Sequence, residues 1–200
     1  MRLGVLGGTF DPIHIGHLLM AESCWQSLQL ERVLFLPAGD PPHKRDRLKT
    51  PAHHRAAMVS QAIAPNSNFE LCTIDLDRPG PHYTSDTLTL IQTHYQVATD
   101  DCFFIIGGDS LQDLPLWHEP QTVIQWCRLA VVHRPDYEID LTHLEARIPG
   151  LAERLDWVEM PLISSSSSEL RQRVAEGLTI RYQVVEAVRT YIERHNLYNL

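Results

Sequence analysis

Short, unbroken apolar runs, each closed by a polar or glycine-rich motif, constrain this chain more than any other feature of it. The clearest is CFFIIGGD, Cys102 to Asp109. RLGVL near the start, RVLFLP at 32–37, RLAVVHRP at 128–135 and WVEMPLI at 157–163 have the same form. Continuous Val, Ile, Leu and Phe suit a strand buried on both faces, which requires a parallel sheet covered by helices on each side. FELCTIDL, Phe69 to Leu76, alternates partially and reads as a further strand.

Helical segments separate these runs. One is predicted over about 16–28, offering Leu18, Leu19, Cys24 and Leu28 to a core, and another from Pro51 to about Ala64. Thr84, Ser85 and Asp86 are candidate caps for a helix carrying Leu88, Leu90 and Ile91. Short pieces are predicted at 110–114 and 121–126, a helix over 141–147, another from the serine run to about Glu176, and a closing amphipathic one in VVEAVRTYIERH. The alternation predicts an α/β fold: a Rossmann-like doubly wound sheet, mainly parallel, with helices on both faces. The 200 residues suit one domain, with a helical part from about 166 to 200 packed on it. Ligands of such folds bind beyond the carboxyl ends of the strands. GGTFDPIHIGH, AGDPPHK, RPGPHYT, GGDS, HRP and SSSSSELR each follow a strand and are expected to converge on one edge.

Composition narrows the function. The net charge of −8 argues against binding a nucleic acid polymer, so a phosphate ligand needs a local basic patch. The only lysines, Lys44 and Lys49, share one Pro-rich loop with Arg45 and Arg47. Taken alone, that loop is as well read as a solvated charged segment as a phosphate grip. No apolar run approaches the roughly 20 residues that span a bilayer, and no signal-peptide pattern is present, so a cytoplasmic location without membrane association is expected. Four scattered cysteines without a CxxC pair are expected to be buried and reduced.

GGTFDPIHIGH, Gly7 to His17, carries the chemistry. Its glycines allow close backbone approach to a ligand, and His14 and His17 project from one face of a first helical turn. A helix start supplies unpaired N–H groups and a positive dipole end, which suit phosphate. The stretch has neither the glycine spacing of a dinucleotide fingerprint nor the GKS/GKT end of a P-loop, and HxxH lacks the third ligand a zinc site needs.

This stretch resembles the HxGH signature of the nucleotidyltransferase superfamily and, in full, that of bacterial nicotinate-nucleotide adenylyltransferases. Pro41-Pro42-His43-Lys44, Pro81 to Leu88, Ile106 to Leu111, Trp117, Arg134-Pro135 and Ser166 to Arg171 fall in the same order as that family's other motifs. The resemblance implies attack of a mononucleotide 5′-phosphate on the α-phosphorus of ATP. That chemistry needs positioning and electrostatic stabilisation rather than a general base. By resemblance His14, His17, Lys44 and Arg171 are catalytic. Gly8, Thr9, Phe10, Gly107, Asp109, Ser166, Ser167 and Ser168 join His14, His17 and Arg171 in binding ATP. His43, Lys44, Tyr83, Thr84, Ser85, Trp117 and Arg134 meet nicotinate mononucleotide. Asp109 has a plainer reading as a helix cap, Trp117 as core and the serines as a connector, although Ser166 with Glu169 makes a capping-box pattern. Magnesium is expected to arrive with ATP, held mainly by phosphates, with no metal site on the protein. Ser165 replaces the family's isoleucine, Ser168 its threonine and His82 its serine. The alternatives are a preference for nicotinamide mononucleotide, dual specificity, another superfamily transferase such as the phosphopantetheine type, or a nucleotide-binding regulator without activity. Oligomeric state is open, a homo-oligomer included.

Overall fold

The computed structural model describes residues 1–39, 50–133, 139–161 and 163–199. Six strands form one sheet: β1 (Leu3–Gly8), β2 (Arg32–Pro37), β3 (Phe69–Leu71), β4 (Cys102–Gly107), β5 (Arg128–His133) and β6 (Leu155–Glu159). Their order is β3-β2-β1-β4-β5-β6, and every pairing is parallel. The chain builds outward from β1 to β3, then crosses back to lay β4 on the other side of β1. That reversal leaves a crevice at the carboxyl ends of β1 and β4, where ligands of doubly wound sheets bind.

Within each apolar run alternate residues serve opposite faces. Phe103 and Ile105 join a core with Ala21 and Cys24 of α1 (Ile15–Ser27), Met58 of α2 (Ala52–Ile63), Leu170 of α7 (Ser167–Ala175) and Val188 of α8 (Glu186–Arg194). Cys102, Phe104 and Ile106 point the other way, to Leu88 and Ile91 of α3 (Thr84–Tyr95), Leu111 of α4 (Gly108–Asp113), Val123 of α5 (Pro120–Trp126) and Leu144 of α6 (Leu141–Arg147). Each fully buried side chain of this size stabilises the fold by about 1.5–3 kcal/mol. The helices from α7 onward therefore pack on the face that carries α1 and α2. The four cysteines are buried as free thiols. No helix among the described residues is long and apolar enough to cross a membrane.

Several boundaries differ from expectation. β3 stops at Leu71 because it is an edge strand paired only with β2, and Thr73 then turns the chain by accepting from the amides of Leu76 and Asp77 at 2.7 and 3.0 Å. β6 begins at Leu155 and ends at Glu159, two residues before its expected start and short of Ile163. Thr84, Ser85 and Asp86 do not cap α3: Tyr83 is its N-cap without a side-chain bond, and Thr84 is already helical. Leu90 is 40% exposed, and Leu19 stays outside the core, because α3 and α1 bury narrower stripes than their leucines suggest.

Candidate active site

Two adjoining cavities open at the ends of β1 and β4 and share Gly107 and Ser110 in their walls. The first, about 340 Å³, is lined by His14, Gly16 and His17 at the start of α1, by Gly108 and Asp109, and by an apolar wall of Met20, Val132, Met160 and Ile163. The backbone N–H of His14 donates to Nδ1 of His17 at 3.2 Å. Nδ1 of His17 is therefore an acceptor, which leaves its proton on Nε2. The two imidazoles lie 3.8 Å apart and nearly stacked. Burial pushes His14 down to about 4. Burial, and secondarily the neighbouring His14, also holds His17 well below its ordinary value. Both rings are thus neutral at pH 7. Gly16 makes the stacking feasible, since a Cβ there would stand 3.0 Å from the His14 ring.

Around this pair the signature turn is held by distant groups. Phe10 takes a left-handed φ of 49°, and its buried ring meets His17 edge-on at 5.0 Å. Ser166 accepts from the amide of Glu169 at 3.2 Å and so caps α7. Ser167 donates to the carbonyl of Pro12 at 2.9 Å, while Arg171 donates to the carbonyl of Asp11 at 2.6 Å and to Ser168 Oγ at 3.2 Å. The serine run is an ordered helix start lashed to the β1 turn. Asp109 stands exposed on the cavity rim and does not cap α4, whose N-cap is Gly107 without a side-chain bond. A Cβ at Gly107 would come within 2.6 Å of the Asp109 carboxylate, so glycine is what lets that carboxylate fold back over the strand end. Sequence reasoning did not single out Ser165 as a site residue. Its hydroxyl is buried, lacks a partner and belongs to a residue in the wall of this cavity; the visible signal was a serine at an otherwise apolar motif position.

The second cavity, about 260 Å³, has Gly7, Gly8 and Thr9 on one side and Trp117 on another. Trp117 packs on the core and meets Phe104 edge-on at 6.1 Å while also lining the cavity, so it serves both core and site. Thr84, the first residue of α3, opens that helix's N-terminus to the space. Asp75, His82 and Thr87 complete the wall. Asp75, 6% exposed, accepts from Nε and Nη2 of Arg78 at 3.1 and 2.9 Å and from Thr87 Oγ1 at 2.8 Å. This buried ion pair was not anticipated; its residues lie in what read as strand end and turn. His82 Nε2 lies 3.1 Å from the carbonyl of Arg78. Tyr83 stacks on His118 at 4.0 Å, and Ser85 is buried inside α3, so neither lines the two cavities. His43, Lys44 and Arg134 lie outside the described residues. Among the described residues no group of three or more His, Cys, Asp or Glu side chains is placed to hold a metal ion.

A cytidylyltransferase-like family model matches residues 5–173, from β1 through most of α7, and defines the class. A probable nicotinate-nucleotide adenylyltransferase of Thermomicrobium roseum is 51% identical over 197 residues, covering 98% of this chain and 91% of the relative. That of Thermus thermophilus is 40% identical over 198 residues, covering 99% and 100%. The chain belongs to the nicotinate-nucleotide adenylyltransferase family. In fold it is similar to the Plasmodium falciparum nicotinic acid mononucleotide adenylyltransferase complexed with NaAD, with a TM-score of 0.78 at 21% identity and coverage of 98% and 96%.

Proposed function

We infer that this chain transfers the adenylyl group of ATP to nicotinate mononucleotide, giving deamido-NAD and pyrophosphate in NAD biosynthesis. The observation that supports the reading is the pair of differently lined cavities that share Gly107 and Ser110. The His14–His17 cavity takes ATP: its apolar wall accommodates a flat base, its rim carboxylate Asp109 accepts from sugar hydroxyls, and the two imidazoles donate to phosphate. The Trp117 cavity takes the acceptor, with the indole against the pyridine ring and the N-terminus of α3 at Thr84 favouring its carboxylate.

In this reading a 5′-phosphate oxygen of the mononucleotide, already ionised at neutral pH, attacks the α-phosphorus. A new phosphorus–oxygen bond forms, the bond to the β-phosphate bridging oxygen breaks, and pyrophosphate carries away the electron pair. No proton has to be removed from the nucleophile. Nε2–H of His17 donates to the α-phosphate, where charge grows most, and His14 supports it; the Gly8, Thr9 and Phe10 backbone and the serine-capped α7 start provide further donors. Lys44 and Arg171 supply fixed positive charge, and His43 and Arg134 belong to the acceptor side; Tyr83 and Ser85, which line neither cavity, support that side from behind as part of the α3 start. Magnesium carried by the ATP phosphates would supply charge neutralisation for the leaving pyrophosphate. This reading puts a one-domain enzyme in the cytoplasm, where both small substrates are found.

The test is pyrophosphate release by the purified chain with ATP, magnesium and each pyridine mononucleotide in turn. Turnover with nicotinate mononucleotide at a kcat/KM at least about tenfold above that with nicotinamide mononucleotide is expected. Equal turnover would make the enzyme dual-specific, and no turnover with either would overturn the assignment.

A further inference from the structure

Several acceptors of the turn between β1 and α1 are taken by groups from elsewhere in the chain. Arg55, 2% exposed, donates to the carbonyl of Thr9 at 2.8 Å and to that of Thr50 at 2.9 Å. Arg171 and Ser167 hold the carbonyls of Asp11 and Pro12. The Asp11 carboxylate, 3% exposed, accepts from the backbone N–H of Thr50 at 3.2 Å through one oxygen and from the hydroxyl of Tyr198 at 2.7 Å through the other. Tyr198 lies 187 residues downstream of Asp11.

Asn196 takes its left-handed φ of 51° as the residue that terminates α8, where the amides of Asn196 and Leu197 donate back to the carbonyls of Glu193 and Ile192, and Tyr198 is left-handed at 67° just beyond that cap. The tyrosine ring packs against the core face that carries α1 and α2, and Leu197 beside it does the same. Burial first, and then the Asp11 carboxylate, push the Tyr198 hydroxyl well above its ordinary value, so it stays protonated and remains a donor. Arg55 also acts electrostatically on the carboxylate, and Arg171, which holds the Asp11 carbonyl, acts on the Tyr198 hydroxyl.

We propose that Tyr198 is a positioning residue for adenylyl transfer: its hydroxyl latches Asp11, fixes the turn from Thr9 to Pro12, and so aims His14 and His17. The latch also joins the turn to Thr50, the residue that follows segment 40–49, in which Lys44 lies. A displacement of about 1 Å in such a turn is enough to cost a large factor in rate while leaving a separate acceptor pocket intact. The proposal rests on the adenylyl-transfer reading given above.

The experiment compares Tyr198→Phe, Asp11→Asn and the double variant with the wild type. Tyr198→Phe keeps the packed ring and removes only the hydroxyl. The expected result is a kcat about tenfold lower per folded molecule, with KM for nicotinate mononucleotide within twofold of wild type. Asp11→Asn keeps one acceptor oxygen and also disturbs the Thr50 contact, so the losses in the double variant are expected to fall short of the product of the singles, because the two changes share the Tyr198–Asp11 contact. A merely structural tyrosine would lower the melting temperature and leave kcat of the folded fraction unchanged. Hydrogen exchange is read on the same proteins: peptides spanning 9–17 should exchange faster in Tyr198→Phe, and peptides from β4 and β5 should not. A kcat within twofold of wild type, or multiplicative losses in the double variant, overturns the latch while leaving the enzymatic reading intact. A wild-type protein without transferase activity overturns that reading instead, and unchanged exchange at 9–17 would then reject the latch as well.

Discussion

The two halves of the cleft are built in opposite ways. The His14–His17 half is tied by bonds that reach across the chain: Ser167 to Pro12, Arg171 to Asp11 and Tyr198 to Asp11. The walls of the Trp117 half come from β1, β2, β4 and α3, but its polar side-chain bonds are local, with Asp75, Arg78, His82 and Thr87 meeting within one short segment. The difference follows from what each half has to do. The donor half must aim hydrogen-bond donors at a charge that develops only in the transition state, which requires a turn held from several sides. The acceptor half has to recognise a ground-state shape, and polar groups bonded to near neighbours are enough for that.

The largest effect is expected where a transition-state donor is lost. His17→Ala should lower kcat by at least about a hundredfold while KM for nicotinate mononucleotide changes less than about threefold, read by steady-state kinetics. A loss confined to KM would place His17 in uniform binding and break the contrast between the halves.

A middle-sized effect belongs to the acceptor half. Asp75→Ala leaves Arg78 in a pocket where its side chain is only 22% exposed and its carboxylate partner 8%. The variant should lose about 2 kcal/mol of unfolding free energy in urea, less than a fully buried pair would cost. KM for the mononucleotide should rise several-fold, with kcat nearly unchanged. A fall in kcat comparable to that of His17→Ala would show that the halves are not separable.

The smallest effect is protonic. The His14 ring, pushed down to about 4 from 6.5, is neutral in the folded chain where it would be charged in the unfolded one. As pH falls from 6.5 towards about 4 the unfolded chain binds more protons, so this group's contribution is full above 6.5 and is lost across that window. ATP brings negative charge to the same ring and favours its protonated form. Calorimetric titration of ATP near pH 5.5 in two buffers of different ionisation enthalpy should therefore reveal net proton uptake. Identical heats in both buffers would leave the imidazoles neutral in the complex.

The two halves also differed in how far they could be read from sequence. The donor half centres on a contiguous motif, and the strand before it ends in the glycines that line the crevice, extending to Gly8. Elements defined by a dense apolar run or a clean cap were equally legible: β2 over Arg32–Pro37 and α6 over Leu141–Arg147 have the expected bounds. What escaped was whatever depends on contact between segments. The Asp75–Arg78 pair looks like ordinary turn polarity until α3 closes over it, and Tyr198 has no local signal because its partner is Asp11. Ser165 was visible as a departure but not as a cavity wall, since only folding brings it to His14 and His17. β3 was read too long because alternation continues past the point where its only neighbour stops pairing.

The division of labour is tested most directly by a double-variant cycle between the halves, His17→Ala with Trp117→Ala, read as kcat/KM for nicotinate mononucleotide. Separate donor and acceptor halves predict that the fold-losses of the two single variants multiply in the double variant to within about a factor of two. A double variant that loses no more than His17→Ala alone would contradict the account, because the indole and the imidazole would then be acting as one unit.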